Sequence, residues 1–274
     1  GFNKSITKNL YSLGAQPFKS IAEILRVSKD QNNNYSDTKV ALYIGDPALM
    51  LAIPKPNIVL TKVNDIPINQ PIADFEALAY VKLSGEIQDE SGNLISVYDG
   101  ELAVNIFDKN YNKTTFNNDN YSPPMTFNNL GETIFRGNAS INGGQFEFGF
   151  VVPRDIKIPL GNGRISFYAK RNQFLLDKTG FNTDIKIGGI DINAVADVIP
   201  PKVRLYMNNE SFVNGGITNE SPFFLAFLED EHGINTASGI GHDIVAILDG
   251  DETNPYILND YYDCLLYTSP SPRD

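Results

Sequence analysis

The feature that most constrains this chain is a change of hydrophobic period near Asn57. Before this residue apolar side chains recur at helical spacing. After it they alternate with polar ones, as in strands that bury one face. The alternation is clearest in two runs: Ala77, Ala79, Val81 and Leu83, then Leu102, Val104 and Ile106. The chain is therefore predicted to join a short helical part to a β-rich part.

The helical part ends in a pattern typical of an α/β domain. Two amphipathic helices are predicted, over residues 3–13 and from residue 17 onward. Val40 to Ile44 is a nearly continuous apolar run, which predicts a strand buried on both faces. Asp46-Pro47 then predicts a capped helical turn, because the carboxylate accepts N–H groups and proline suits the first turn. Residues 1–56 are interpreted as the C-terminal end of an α/β domain.

The first β-rich part, residues 57–197, is predicted to be an immunoglobulin-like β-sandwich. Turn residues separate about seven to nine short alternating runs, as is typical of that fold. Asn142-Gly143-Gly144 lies between two of these runs and predicts a β-hairpin.

Three aromatic rings, those of Phe146, Phe148 and Phe150, fall on one face of a predicted strand, with Glu147 on the other. We expect the rings to pack against a facing sheet. The alternative is a groove that binds carbohydrate, but core packing is the commoner use of such a stripe.

A second boundary is predicted at Asp197-Val-Ile-Pro-Pro201, because paired prolines stiffen a linker and interrupt strand pairing. Residues 198–263 then predict a truncated second β-sandwich-like domain. Its alternating apolar residues are Val203, Leu205, Met207, Phe224, Ala226, Leu228, Ile244, Ala246 and Leu248. An incomplete sandwich is expected to leave an unpaired edge and exposed apolar side chains.

The segment Cys264–Asp274 reads, codon by codon, as the translation of a widely used transposon-type sequencing adapter. We interpret it as an artefact that follows a truncated reading frame, and a natural Ser/Pro linker is the alternative. Its prolines predict that it runs unpaired over the surface. On this interpretation the natural sequence has no cysteine, since Cys264 is the only one in the chain.

The charge and the apolar runs of the chain bear on its partners. A net charge of −11 and a pI near 4.7 argue against nucleic acid or an anionic membrane as the partner. No apolar run approaches the ~20 residues of a membrane-spanning helix, so no transmembrane segment is expected. No signal peptide is recognised, which for an internal fragment says nothing about its destination.

The residues that could carry cysteine peptidase chemistry are few. Such an enzyme needs a thiolate beside a histidine. The chain has Cys264 and two histidines, His232 in a polar turn and His242 before a predicted strand, and none lies in the α/β part. No catalytic residue is therefore assigned.

Acidic and imidazole side chains in one stretch form a candidate metal site: Asp230, Glu231, His232, His242 and Asp243. Calcium is the cation that oxygen-rich loops of extracellular β-domains bind. The spacing fits no standard calcium or zinc loop, however, and acidic turn residues are usually only solvated. No metal ligand and no cofactor are therefore assigned.

Two parts of the chain resemble a known family. Leu42–Pro54 resembles the end of the catalytic domain of gingipain-like cysteine peptidases. Further segments resemble, in this order, the C-terminal signal peptidases, or sortases, of the type IX secretion system: Pro200–Asn208, Gly233–Asn235, Gly239–Ile244 and Leu258–Tyr262. The resemblance spans roughly Asn9 to Tyr262.

The resemblance implies an α+β multidomain fragment, in which the end of a caspase-like gingipain domain precedes an immunoglobulin-like sandwich and a truncated second β-domain. The parent protein would be a cysteine endopeptidase and transpeptidase at the outer-membrane surface of a Bacteroidetes-type bacterium. Such enzymes remove C-terminal signals from secreted cargo and join the cargo to lipopolysaccharide, in contact with other secretion components. Their catalytic Cys and His precede the matched segment, so the fragment itself is expected to be non-catalytic.

Two alternatives remain open. One is a secreted gingipain-like protease that only hydrolyses proteins. The other is a non-catalytic β-sandwich binding module.

Overall fold

The computed structural model describes residues 2–10, 20–34, 37–50, 57–118, 123–174, 176–194, 198–230, 233–235 and 243–266. The chain divides into two compact units, residues 1–54 and 55–274. The described part of the first unit is helical, and that of the second is built mainly from strands. The predicted change of structure near Asn57 is therefore confirmed.

The described part of the first unit contains α1 (Phe2–Leu10), α2 (Ile21–Gln31) and α3 (Asp37–Val40). The Ser20 hydroxyl accepts a hydrogen bond from the Glu23 N–H at 3.3 Å and so caps α2. Asn9 of α1 donates from Nδ2 to the hydroxyl of Ser28, a fully buried residue of α2, at 2.9 Å. Both predicted helices are confirmed over their described residues, and residues 11–19 lie outside them.

The buried strand predicted over Val40 to Ile44 is wrong. Val40 ends α3, and residues 41–44 form no regular structure. The three apolar residues Val40, Leu42 and Ile44 are 78%, 80% and 93% exposed. A strand buried on both faces needs neighbouring strands, and the described residues of this unit contain none.

The turn predicted at Asp46 does form. Asp46 Oδ1 accepts the Ala48 N–H at 2.8 Å, and the Asp46 carbonyl accepts the Leu49 N–H at 3.1 Å. The Leu49 carbonyl in turn accepts the N–H of Ile21 at 2.8 Å, which ties the turn to the start of α2. Leu49 is half exposed, so the turn itself is not buried.

The strands of the second unit, over its described residues, are β1 (Ile58–Val63), β2 (Ile66–Pro67), β3 (Phe75–Ala77), β4 (Tyr80–Ile87), β5 (Gly100–Phe107), β6 (Tyr111–Thr114), β7 (Thr126–Asn129), β8 (Thr133–Ile141), β9 (Gln145–Val151), β10 (Gly161–Asn162), β11 (Arg164–Arg171), β12 (Asp177–Asn182), β13 (Lys186–Ile190), β14 (Lys202–Met207), β15 (Phe224–Glu229), β16 (Val245–Ala246), β17 (Tyr256–Ile257) and β18 (Cys264–Leu266). A 3-10 turn, Asn259–Tyr261, precedes β18.

Two of the sheets form a sandwich. One has the strand order β2-β1-β4-β9, and the other has the order β12-β11-β5-β8-β18. In β4 and β5 every second side chain is buried, so that Val81 and Leu83 of one sheet share a core with Leu102 and Val104 of the other. The coarse prediction of a β-sandwich is confirmed, and so is the alternation from Val81 onward. Ala77 and Ala79 do not belong to that run, since Ala77 ends β3 and Ala79 lies between β3 and β4. A smaller sheet, β10-β13-β3, and the hairpin β6–β7 belong to the same unit.

The turn Asn142-Gly143-Gly144 forms as predicted, but the strands on either side of it do not pair as a hairpin. Gly143 and Gly144 have φ of 57° and 75°, values that favour glycine. β8 enters the turn from the five-stranded sheet, and β9 leaves it into the four-stranded sheet. The hairpin prediction is wrong because these two strands face each other with apolar side chains instead of with their backbone groups.

The second β-rich part forms two separate ribbons. β14 pairs with β15, and β16 pairs with β17, in both cases antiparallel. No residue of β14 or β15 is buried, and Leu205 is 56% exposed. The expected exposure of apolar side chains is therefore confirmed. The described residues show two ribbons and no second core, so no second sandwich is formed there.

The expectation that the chain runs unpaired after Asp263 is wrong for its first residues. β18 pairs parallel with β8, with Cys264 opposite Gly137, and Cys264 packs against the core. A Cβ at Gly137 would lie 2.7 Å from the Cys264 carbonyl oxygen, so glycine permits this close approach. The apolar residues at 264–266 can complete an otherwise open sheet edge. Residues 267–274 lie outside the described residues, and the adapter origin of the segment stays a prediction.

Candidate functional site

Of the three residues considered for peptidase chemistry, only Cys264 lies within the described residues. His232 and His242 lie outside the described residues. Cys264 is half-buried, and burial raises the pKa of its thiol, although a hydrogen bond with Tyr262 acts in the opposite direction. The thiol is therefore protonated at neutral pH and is a poor nucleophile.

Of the five residues of the candidate metal site, the structure describes only the first and the last. Asp230 and Asp243 are half-buried, whereas Glu231, His232 and His242 lie outside the described residues. Within the described ranges no group of three or more His, Cys, Asp or Glu side chains is placed to hold a metal ion. Metal binding by this stretch stays untested.

The aromatic stripe of β9 belongs to the core and does not line a groove. Phe146, Phe148 and Phe150 are 4%, 4% and 6% exposed. The ring centroid of Phe146 lies 5.5 Å from that of Phe167 on the opposite sheet. The core-packing prediction is confirmed, and a carbohydrate groove built on these rings is excluded.

An ion pair at the end of β5 is the strongest polar feature that the sequence pattern does not predict. Asp108 is 2% exposed, and its Oδ1 lies 2.6 Å from Lys109 Nζ. Lys109 Nζ also donates to the carbonyls of Lys157 at 2.8 Å and Ile187 at 3.0 Å, and the Lys157 N–H donates to Asp108 Oδ2 at 3.1 Å.

These contacts join the end of β5 to the loop after β9 and to β13. Each charge is met by an opposite charge and by backbone groups, as a buried ion pair requires. The cluster therefore holds three segments together, and it leaves no group free to act on a substrate. In the sequence, a charged pair directly after an alternating strand was the available signal, but it also occurs in ordinary exposed turns.

A second polar cluster surrounds Tyr98, which is 2% exposed. Its hydroxyl lies 3.2 Å from the Ala169 carbonyl and 3.1 Å from the Leu176 carbonyl, so its proton is shared between two acceptors. Burial raises the pKa of the Tyr98 phenol to about 12. The Arg171 guanidinium lies 5.9 Å from the centroid of the Tyr98 ring and 4.4 Å from that of the Phe174 ring. A neutral, satisfied phenol of this kind is a structural anchor.

The outer surface of the four-stranded sheet carries an exposed ionic row. Lys82 Nζ lies 3.0 Å from both Asp65 Oδ1 and Glu147 Oε1, and the Ser84 hydroxyl donates to Glu147 Oε2 at 3.1 Å. Hydrogen bonds with Asp65 and Glu147 raise the pKa of Lys82. A protonated amine cannot serve as a base for Ser84, so this row does not form a hydrolase site.

Comparison with known proteins gives evidence on relationship that the side chains alone do not give. No protein-family model matches the chain, and no curated protein sequence matches it. Over its described residues, the chain is a β-rich protein with a two-sheet sandwich, and it is similar to part of a much larger protein of known structure. That protein is PorU from Porphyromonas gingivalis, described as a dimeric latent form.

The similarity to PorU extends over most of this chain. It covers 90% of the chain and 24% of PorU, with 25% sequence identity and a TM-score of 0.53. The chain thus spans about a quarter of the length of PorU. The sporulation control protein Spo0M from Bacillus subtilis also matches, with 14% identity over 51% of each chain, but the TM-score is 0.28. The PorU match suggests a PorU-like relationship.

Among the described residues, no helix is both long enough and apolar enough to cross a membrane.

Proposed function

We propose that the chain is the C-terminal part of a gingipain-like cysteine endopeptidase of the PorU type, the sortase of the type IX secretion system. The observation that carries this proposal is the extent of the PorU match, which covers 90% of the chain at 25% identity. Two resemblances in the sequence, near Leu42–Pro54 and from Pro200 to Tyr262, support it in the same chain order.

In this proposal the parent enzyme carries out acyl transfer. A cysteine thiolate attacks the carbonyl that precedes the C-terminal signal of the cargo, and the signal leaves as an amine. The resulting thioester is then attacked by an amine of lipopolysaccharide, which releases the thiolate again. A histidine protonates the first leaving group and accepts the proton of the second amine. Both catalytic residues belong to the part of the parent enzyme that precedes this chain.

The chain itself has a structural role in this proposal. Its first unit is the end of the caspase-like domain, and the sandwich of its second unit is the immunoglobulin-like domain that follows. The satisfied polar clusters at Asp108 and Tyr98 support a scaffold, since they stabilise the sandwich and leave no reactive group free. The proposed location is the outer-membrane surface of a Bacteroidetes-type bacterium, and the proposed partners are cargo, lipopolysaccharide and other secretion components.

The test compares the present chain with the product of the complete gene. Each protein is given a cargo peptide with its C-terminal signal and a soluble primary amine as acceptor, with and without a thiol reagent. The complete product should release the signal and form the amine adduct, and the reagent should block both. The present chain should do neither. A complete product without thiol-dependent cleavage would contradict the proposal.

The same assay separates the alternatives. A secreted gingipain-like protease would cleave the peptide but yield only the hydrolysed acid, with no amine adduct. The other alternative is a non-catalytic binding module. That function would require a complete gene product that binds the cargo peptide and never cleaves it.

A further inference from the structure

The chain contains three Asn-Gly dipeptides, Asn142-Gly143, Asn162-Gly163 and Asn214-Gly215. Asparagine in this context can lose its amide without an enzyme, because glycine leaves the next backbone nitrogen open to approach the side-chain carbon. The reaction requires that this nitrogen leave any hydrogen bond that it makes. The surroundings of the three glycine N–H groups therefore decide which asparagine reacts.

In the first two dipeptides the glycine N–H is hydrogen-bonded. The Gly143 N–H donates to Asp99 Oδ1 at 2.7 Å, and the Gly163 N–H donates to the Ile185 carbonyl at 3.1 Å. The side chain of Asn162 is also fixed, since its Nδ2 donates to the Thr183 carbonyl at 3.0 Å. In both dipeptides the attacking nitrogen must first break a formed hydrogen bond.

In the third dipeptide the glycine is exposed and its N–H has no hydrogen-bond acceptor among the described residues. Asn214 is exposed in the loop between β14 and β15. Gly215 has φ of 81°, and a Cβ placed on it would have no atom within 4 Å. The neighbouring N–H of Gly216 donates to the Val213 carbonyl at 2.8 Å, but the Gly215 N–H makes no hydrogen bond within the described residues.

We propose that Asn214 is the site at which this protein undergoes spontaneous deamidation. The Gly215 nitrogen forms a bond to the Asn214 side-chain carbon, loses its proton, and ammonia leaves, which gives a cyclic succinimide. Water then opens the ring at either carbonyl. One product is aspartate and the other is isoaspartate, in which the backbone passes through the former side chain. Either product places a new negative charge in the β14–β15 loop.

The structure offers a matched internal control. Asn142-Gly143-Gly144 and Asn214-Gly215-Gly216 are the same tripeptide in different surroundings. In the folded chain, incubated at mildly alkaline pH and followed by peptide mapping with mass spectrometry, deamidation at Asn214 should be at least about tenfold faster than at Asn142. In urea the two rates should become equal. A folded chain in which Asn142 or Asn162 reacts as fast as Asn214 would overturn the proposal.

The Asp99→Ala variant tests the cause directly. It removes the acceptor of the Gly143 N–H, so deamidation at Asn142 should accelerate while the rate at Asn214 stays the same. The rate at Asn162 reports on folding in the same sample, because that site becomes reactive only if the hydrogen bond from the Gly163 N–H to the Ile185 carbonyl opens. If Asn142 stays slow in this variant while Asn162 is also slow, the hydrogen bond of Gly143 does not control the reaction, and the proposal is wrong.

Discussion

The rings of Phe135 and Phe148 stack across the two sheets of the sandwich, with centroids 5.9 Å apart and planes 12° from parallel. Phe135 lies on β8 and Phe148 on β9, two strands that follow each other in the chain but belong to different sheets. The turn at Asn142–Gly144 therefore closes the core at one end. The stability of the sandwich should depend strongly on these rings.

Phe148→Ala should lower the free energy of unfolding by about 3–5 kcal/mol, because it removes a buried ring and leaves a cavity. Glu147→Gln is the matched control, since the neighbouring side chain points to the opposite, solvated face and contacts only the exposed ionic row. Urea denaturation of both variants measures the difference. Equal stability of Phe148→Ala and the parent chain would contradict this packing.

Tyr98→Phe should cost about 1 kcal/mol at neutral pH, because the Ala169 and Leu176 carbonyls lose their shared donor. The substitution should also change how the free energy of unfolding depends on pH. The pKa of Tyr98 is raised from 10.0 to about 12 in the folded state, so the stability due to its neutral form is present below pH 10 and lost as the pH rises to 12.

This loss should amount to about 2–3 kcal/mol in the parent chain and be absent in the Tyr98→Phe variant. Denaturation profiles of the two proteins at a series of alkaline pH values isolate the contribution, since every other titrating group is common to both. Parallel profiles would show that the phenol titrates at its ordinary pKa.

Asp108→Ala should destabilise the second unit by about 3–5 kcal/mol, because the Lys109 side chain, which is only 13% exposed, would lose its counter-charge. The double variant Asp108→Ala/Lys109→Met removes both charges and keeps most of the apolar volume, so it should recover part of the loss. Thermal denaturation compares the two. If the double variant is no more stable than the single one, the cost does not come from an uncompensated charge.

The rate of amide hydrogen exchange should differ between the two β-rich parts. The backbone amides of β14 and β15 should exchange far faster than those of β4 and β5, because no residue of the β14–β15 ribbon is buried while the sandwich strands flank a common core. Mass spectrometry of the intact chain after short labelling, followed by digestion, gives both rates. Similar protection in the two parts would show that the ribbon has a core that its side-chain exposure does not reveal.

The elements that were predicted correctly are those that the local pattern decides. The hydrophobic period of a segment and the face on which its side chains lie follow from the sequence itself. The sequence therefore predicts the stripe of Phe146, Phe148 and Phe150 and the glycine turn at Gly143. The pairing partner of a strand is not a local property. The turn before β9 was therefore interpreted as a hairpin, although apolar faces on both strands favour opposite sheets.

The errors in the first unit and at β18 have the same origin. The run Val40–Ile44 has the composition of a buried strand, but such a strand forms only beside others. Cys264–Leu266 has too few residues to predict a strand, and the open edge of β8 decides its conformation. The Asp108–Lys109 pair was missed because adjacent charges in a sequence carry no sign of burial. The proposed PorU-like function likewise rests on resemblance to a protein of known structure.

The measurement that tests the central claim most directly is the sequence of the complete gene, amplified from source DNA and read by a different chemistry. A PorU-like protein predicts that the reading frame extends upstream of Gly1 and encodes a Cys and a His, each following a buried strand. After Asp263 it should continue with alternating apolar residues. A frame that has no such Cys and His upstream, or that still reads Cys-Leu-Leu-Tyr-Thr-Ser-Pro-Ser-Pro-Arg-Asp after Asp263, would contradict the account.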